Sequence, residues 1–216
     1  DATHSDYIDE DGYPPRQILK IIGQDIERFG LLKEIPAHTD LYRVRRADFE
    51  QSFQEFEEMG PPPPRLASAG RMNPPGISYG YFAVHPNTAV LEVIGAPPTK
   101  LSIATFRLSR PLLAVDFTAI PERPSIFDVE QKQDRDALIF LKQFADAISE
   151  PVAKDGKQHI DYVPSQIVSE YIGQVLKVRG GRALDAVIYK STLDPGGTNI
   201  VIFPPRRALD VWVMII

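Results

Sequence analysis

Apolar residues in this chain recur first at helical spacing and later, for the most part, at strand spacing. Ile18, Ile21, Ile22, Ile26 and Phe29 form one stripe and predict an amphipathic helix over residues 16–33, after an acidic lead-in over 1–15. Leu41-Tyr42-Arg43-Val44-Arg45 predicts a short strand, with Arg43 on the face of Leu41 and Arg45. Asp48 is placed to cap a second helix carrying Phe49, Phe53 and Phe56, which Pro61 to Pro64 terminate. Tyr79-Gly80-Tyr81-Phe82-Ala83 predicts an aromatic strand, and Pro86-Asn87 opens a helix running through Ala89 to Ile94. Strands are expected at Leu101–Leu108 and Leu112–Phe117, and a helix over 134–149 with Leu138, Leu141 and Phe144 on one face. Pro164-Ser165 opens a further helix, expected to turn Ile167, Tyr171 and Val175 inward. Three strands close the chain, at Ala186–Tyr189, Ile200–Phe203 and Val211–Ile216. With no internal repeat, the economical architecture is α+β.

Composition narrows the class of protein. A chain of 216 residues holds one well-packed domain, or one domain with an extension. The net charge of −5 argues against a broad nucleic-acid or membrane-binding face. Two basic clusters, Arg43/Arg45/Arg46 and Arg206/Arg207, remain suited to a small anion. There is no cysteine, which excludes disulfides and thiolate metal sites and fits a reducing, cytoplasmic location. No signal peptide is visible, and no apolar run reaches the roughly 18 residues of a spanning helix.

The candidate chemistry centres on Glu92, the one charge in Ala89-Val90-Leu91-Glu92-Val93-Ile94. Wherever such a carboxylate turns inward it needs a partner or a task. Upstream, the rigid turn Gly70-Arg71-Met72-Asn73-Pro74-Pro75-Gly76 supplies an arginine and the aromatic strand supplies Tyr81. Other chemistries fall away. His4, His38, His85 and His159 are scattered without metal-ligand spacing. The glycines between Gly70 and Gly80 match neither a dinucleotide fingerprint nor a P-loop. Tyr189-Lys190-Ser191-Thr192 is not a nucleophile elbow.

An ordered set of segments resembles the RES domain family. Leu41-Tyr42-Arg43-Val44, the Gly70–Gly76 turn, Tyr81 and Leu91-Glu92-Val93 look like its opening half. Tyr162 to Ile172, starting at Ser165-Gln166, is similar to the helix before its last motif. Asp185 to Ser191, Gly196-Gly197-Thr198-Asn199 and Ile202-Phe203 look like that motif. The resemblance places the family's arginine, glutamate and serine at Arg43, Glu92 and Ser191. It departs at Lys190, where proline is frequent, and at Met72, where an aromatic is common.

The resemblance implies an ADP-ribosyltransferase-like mixed, split β-sheet core with surrounding helices, spanning residues 40–216 behind an N-terminal helical extension over 1–39. It implies an NAD-consuming bacterial toxin with an Xre-type antitoxin as partner, covering the Arg71/Tyr81 entrance. NAD is substrate rather than cofactor, and no metal is required. The first expectation is NAD glycohydrolase activity; the alternatives are ADP-ribose transfer to a protein, NAD phosphorolysis, or a non-catalytic interaction module. In the glycohydrolase reading Glu92, Arg43 and Ser191 are catalytic, and Arg71 and Tyr81 bind substrate. Arginines grip pyrophosphate, a tyrosine face meets the cationic nicotinamide, and a carboxylate stabilises the ribosyl cation. Ser191 has three candidate partners: a phosphate, the nicotinamide amide or Glu92.

Each residue also has a bland reading. Arg43 suits a surface ion pair, Arg71 a tie to carbonyls, Tyr81 the core, and Glu92 a solvent-facing helix position. Ser191 suits a loop brace. Asn199 is read as fixing the turn into its strand, outside the site.

Overall fold

The computed structural model describes residues 15–47, 53, 55–94, 100–150, 161–204 and 211–215. Helices α1 (Pro15–Arg28), α2 (Phe56–Met59), α3 (Pro86–Val93), α4 (Lys132–Ser149) and α5 (Val163–Glu170) surround the strands. The strands are β1 (Leu32–Ile35), β2 (Asp40–Ala47), β3 (Gly80–Ala83), β4 (Lys100–Leu108), β5 (Leu112–Asp116), β6 (Lys177–Val178), β7 (Arg182–Ala183), β8 (Ala186–Lys190), β9 (Thr198–Ile202) and β10 (Trp212–Ile215). Eight of them form one sheet in the order β1-β5-β8-β9-β3-β2-β4-β10, while β6 and β7 pair apart. Only β5 and β8 run parallel, so the sheet is mixed and the fold is α+β.

Both faces of the central strands are buried, and the period-2 alternation sorts them. Val187, Tyr189, Val201 and Phe203 join Ile22 and Ile26 of α1 and Leu141 and Phe144 of α4 in one core. Ala186, Ile188, Ile200 and Ile202 face a second core with Phe82, Phe106 and Met59. The segment before residue 40 is thus built into the structure: α1 packs on the first core, and β1 pairs with β5 at the sheet edge.

Between β2 and β3 the sheet is nearly parted. Their pairing is a single register position, Tyr42 opposite Ala83, whereas β2 and β4 pair from Asp40–Arg107 to Ala47–Lys100. This seam positions the site.

Several boundaries differ from the sequence reading. The first helix stops at Arg28 because Gly30 turns left-handed (φ 67°), and Leu32–Ile35 becomes a strand. Phe56–Met59 is a single helical turn, while Asp48 and Phe49, like residues 1–14 and Arg206/Arg207, lie outside the described residues.

The helix begun at Pro164-Ser165 turns a different face inward. Ile167 and Val175 are exposed, whereas Ser165, Ser169, Ile172 and Gly173 are buried. A π-turn over Tyr171–Val175 shifts the helical phase, and the small residues let the helix approach closely. At Gly173 an added Cβ would lie 2.8 Å from the buried Phe203 ring, itself packed edge-on against Tyr79. Gly173→Ala is therefore expected to cost about 1–3 kcal/mol by overpacking. Urea unfolding measures this as a lower midpoint.

Candidate active site

A row of side chains crosses four strands where α3 covers the seam. The registers Tyr42–Ala83, Ala83–Asn199 and Asn199–Tyr189 put these residues side by side on one face. Ala83 is the small member, and the space above it is a cavity of about 240 Å³. Tyr42, Arg43, Tyr81, Glu92, Tyr189 and Asn199 are among its lining residues.

Glu92 enters from α3, a two-turn helix opened by Pro86. This helix buries Thr88 and Ala89, and Val90 and Val93 pack with Ala89 against Val44 and Ala83, while Leu91, Glu92 and Ile94 stay exposed, so Glu92 lies beside a small apolar cluster rather than inside it. The carboxylate stays accessible at the cavity and is held from below. Oε1 accepts from Ser191 Oγ at 2.6 Å and from Asn199 Nδ2 at 2.7 Å. Among the described residues the Ser191 hydroxyl thus donates to Glu92, one of its three candidate partners. The Ser191 hydroxyl also accepts from the backbone N–H groups of Leu193 (3.2 Å) and Asp194 (3.0 Å), which braces the loop. One turn earlier on the same helix stripe, Thr88 Oγ1 donates to Asp194 Oδ2 at 2.5 Å. The loop after β8 therefore grips α3 at two points.

The three arginines of β2 divide their work. Arg45 Nη2 donates to the Gly60 carbonyl at 3.1 Å, and Arg46 Nε to the Val93 carbonyl at 2.7 Å, tying β2 to the ends of α2 and α3. Arg43 is half-buried at the cavity, and its Nη1 is buried with no partner among the described residues. Burial, with Arg45 adding repulsion, lowers its pKa to about 10, so the guanidinium remains charged at neutral pH. A buried cationic donor without an acceptor is costly, and an entering anion would relieve it.

Tyr81 is fixed through its hydroxyl, which donates to Asn73 Oδ1 at 2.7 Å. Burial pushes the phenol well up, so it stays neutral. Asn73 belongs to the Gly70–Gly76 turn, and its amide donates to the carbonyls of Ser68 and Ile77. The start of α5 clamps the same turn: Ser165 Oγ donates to the Arg71 carbonyl at 2.6 Å, and Gln166 Nε2 to those of Gly70 and Asn73. At Gly70 a Cβ would lie 2.7 Å from the Tyr81 hydroxyl and 2.5 Å from Asn73 Oδ1, so the bond requires glycine there.

Arg71, expected to bind phosphate, is engaged by protein groups. It is not among the residues lining the cavity; Nη1 donates to the Ala147 carbonyl at 3.2 Å and the guanidinium lies 4.8 Å from the centre of the Tyr162 ring. Its side chain is 13% exposed. It braces the turn against α4, the tie to carbonyls that its Pro-rich setting suggested.

Three polar lining residues, Asn199, Tyr189 and Tyr42, are not among those the sequence singles out. Asn199 carries a usable signal: it alternates with buried Val201 and leads into the apolar run Ile200–Ile202, which points it inward with a partner. Burial, then the neighbouring Tyr81 and the Glu92 charge, pushes the Tyr189 phenol far up. Among the described residues no group of His, Asp or Glu is arranged to hold a metal ion. No helix there is long and apolar enough to cross a membrane.

The sequence profile of the RES domain matches residues 40–213, which include the seam, the clamped glutamate and the loop that clamps it. The chain belongs to the RES domain family. RES domains are associated with NAD-acting enzymes and are generally found in toxin–antitoxin systems. No curated protein matches the chain significantly.

Proposed function

We propose that this RES domain hydrolyses the nicotinamide–ribose bond of NAD⁺. The observation that carries the reading is the pairing, in one cavity, of an anchored carboxylate with a half-buried guanidinium whose buried Nη1 lacks an acceptor among the described residues. The cavity is smaller than the ~300–1,000 Å³ of sites that enclose a drug-sized ligand. It suits the nicotinamide–ribose end, with the adenosine end outside.

In this reading Arg43 takes the pyrophosphate, giving its buried Nη1 an acceptor. The Tyr81 ring, held by Asn73, faces the cationic nicotinamide, whose attraction to the ring is lost once the leaving group is neutral. The bond from ribose C1′ to the nicotinamide nitrogen breaks, and its electron pair leaves with nicotinamide. Glu92 stabilises the positive charge developing on the ribose. Water adds to C1′ and releases a proton, giving ADP-ribose. Ser191 acts through Glu92: its hydrogen is committed to the carboxylate and its oxygen accepts two backbone N–H bonds, which does not suit a nucleophile. Arg71 supports the turn that aligns Tyr81. An NAD-consuming toxin of this kind would act in the cytoplasm and be restrained by a cognate antitoxin.

The acceptor is tested by incubating labelled NAD⁺ with the protein in the presence and absence of phosphate and of cell protein. Free ADP-ribose in all mixtures supports hydrolysis. ADP-ribose 1-phosphate, or label on protein, replaces it with phosphorolysis or transfer.

A further inference from the structure

We infer that Asn199 is a positioning residue for Glu92, and that Oε2 of Glu92 is the oxygen presented to the substrate. The inference rests on the reading of Glu92 as the carboxylate beside the reacting ribose carbon.

Two donors converge on Oε1, the Ser191 hydroxyl and the Asn199 amide, while Oε2 accepts no hydrogen bond from the described residues. A carboxylate oxygen offers about two acceptor sites, so Oε1 is filled and Oε2 remains for substrate. Both donors are neutral. A cation in their place would cancel the charge the oxocarbenium-like transition state needs; dipoles hold the carboxylate and leave it negative.

The two donors are not equivalent anchors. Ser191 begins a loop, whereas Asn199 lies in β9 with β8 and β3 paired on either side, opposite Tyr189 and Ala83. It is 5% exposed, so its amide is held by a buried strand paired on both sides. Glu92 sits near the end of a short, half-exposed helix whose apolar anchorage is confined to Ala89, Val90 and Val93. Its rotamer is thus set by the strand beneath it. A misplacement of about 1 Å can cost 10²-fold in rate, which is the size of effect expected here.

The test is steady-state NAD⁺ cleavage by the wild type, Asn199→Ala and Asn199→Asp, with thermal midpoints and a crystal structure of Asn199→Ala. Asn199→Ala is expected to lose about 30–100-fold in kcat with KM within about threefold, the signature of lost transition-state stabilisation. Asn199→Asp, nearly isosteric, puts a like charge where Oε1 had a donor and should lose more. In the Asn199→Ala crystal structure the Glu92 carboxylate should leave its Ser191-bound position. Wild-type kcat in Asn199→Ala overturns the inference, as does a fall in kcat that comes only with raised KM and a collapsed midpoint. If the wild type itself releases no nicotinamide, the NAD reading fails instead. The crystal structure then decides: Glu92 unmoved beside Ser191 alone overturns the positioning role, and Glu92 displaced supports it.

Discussion

Glu92→Gln lowers the rate of nicotinamide release by about 10³-fold, at the upper end for removal of one transition-state-stabilising group. The variant keeps the shape of the side chain and an oxygen that can accept from Ser191 and Asn199, so α3 should stay docked. What it removes is the negative charge. The ground state of NAD⁺ does not need that charge, because the ribose carbon becomes strongly cationic only as the bond breaks. KM should therefore change little while kcat falls, and steady-state kinetics with a thermal midpoint separates this from unfolding. A Glu92→Gln protein with near-wild-type kcat would remove the carboxylate from the chemistry.

Arg43→Met separates binding from stability. The guanidinium is half-buried, its Nη1 lacks an acceptor among the described residues, and burial has already lowered its pKa to about 10. An unsatisfied buried donor costs about 1–3 kcal/mol, more when charged, and an apolar side chain of similar length removes that cost. The thermal midpoint should hold or rise by a few degrees, at about 2–4 °C per kcal/mol for a chain of this size. NAD⁺ recognition should suffer, because a charge-assisted hydrogen bond contributes about 1.5–3 kcal/mol, roughly 10–100-fold in KM. Weaker binding in a protein no less stable than wild type would mark Arg43 as a ligand-binding residue. A destabilised variant with unchanged KM would mark it as a structural one.

The elements with strong period were legible in the sequence. Leu138, Leu141 and Phe144 are buried together on α4, and the apolar strands at Ala186–Tyr189 and Ile200–Phe203 sit at the centre of the sheet. Failures came where small or charged residues carry the packing. Beside Ile172, the buried face of α5 and its π-turn consists of Ser165, Ser169 and Gly173, which no hydrophobic count registers, whereas the apolar Ile167 and Val175 are exposed. Leu32-Lys33-Glu34-Ile35 buries only Ile35 fully, too little for a strand signal of its own; pairing with β5 makes it one.

The site was legible as residue types but not as roles. Arg43, Tyr81 and Glu92 line one cavity, and Ser191 bonds Glu92. Arg71 stands in the same short segment, but its long side chain is drawn to Ala147 and Tyr162, contacts 76 and 91 residues away in sequence that local spacing cannot encode. The role of Asn199 is hidden for the converse reason. Its bond to Glu92 spans 107 positions and arises only when β9 and α3 meet at the seam.

The most direct test of the account is chromatography of NAD⁺ incubated with the wild type and with Glu92→Gln in phosphate-free buffer. Free nicotinamide and ADP-ribose are expected from the wild type, and about a thousandth of that rate from the variant. NAD⁺ left intact by a folded wild-type protein, or cleaved equally by both, would contradict it.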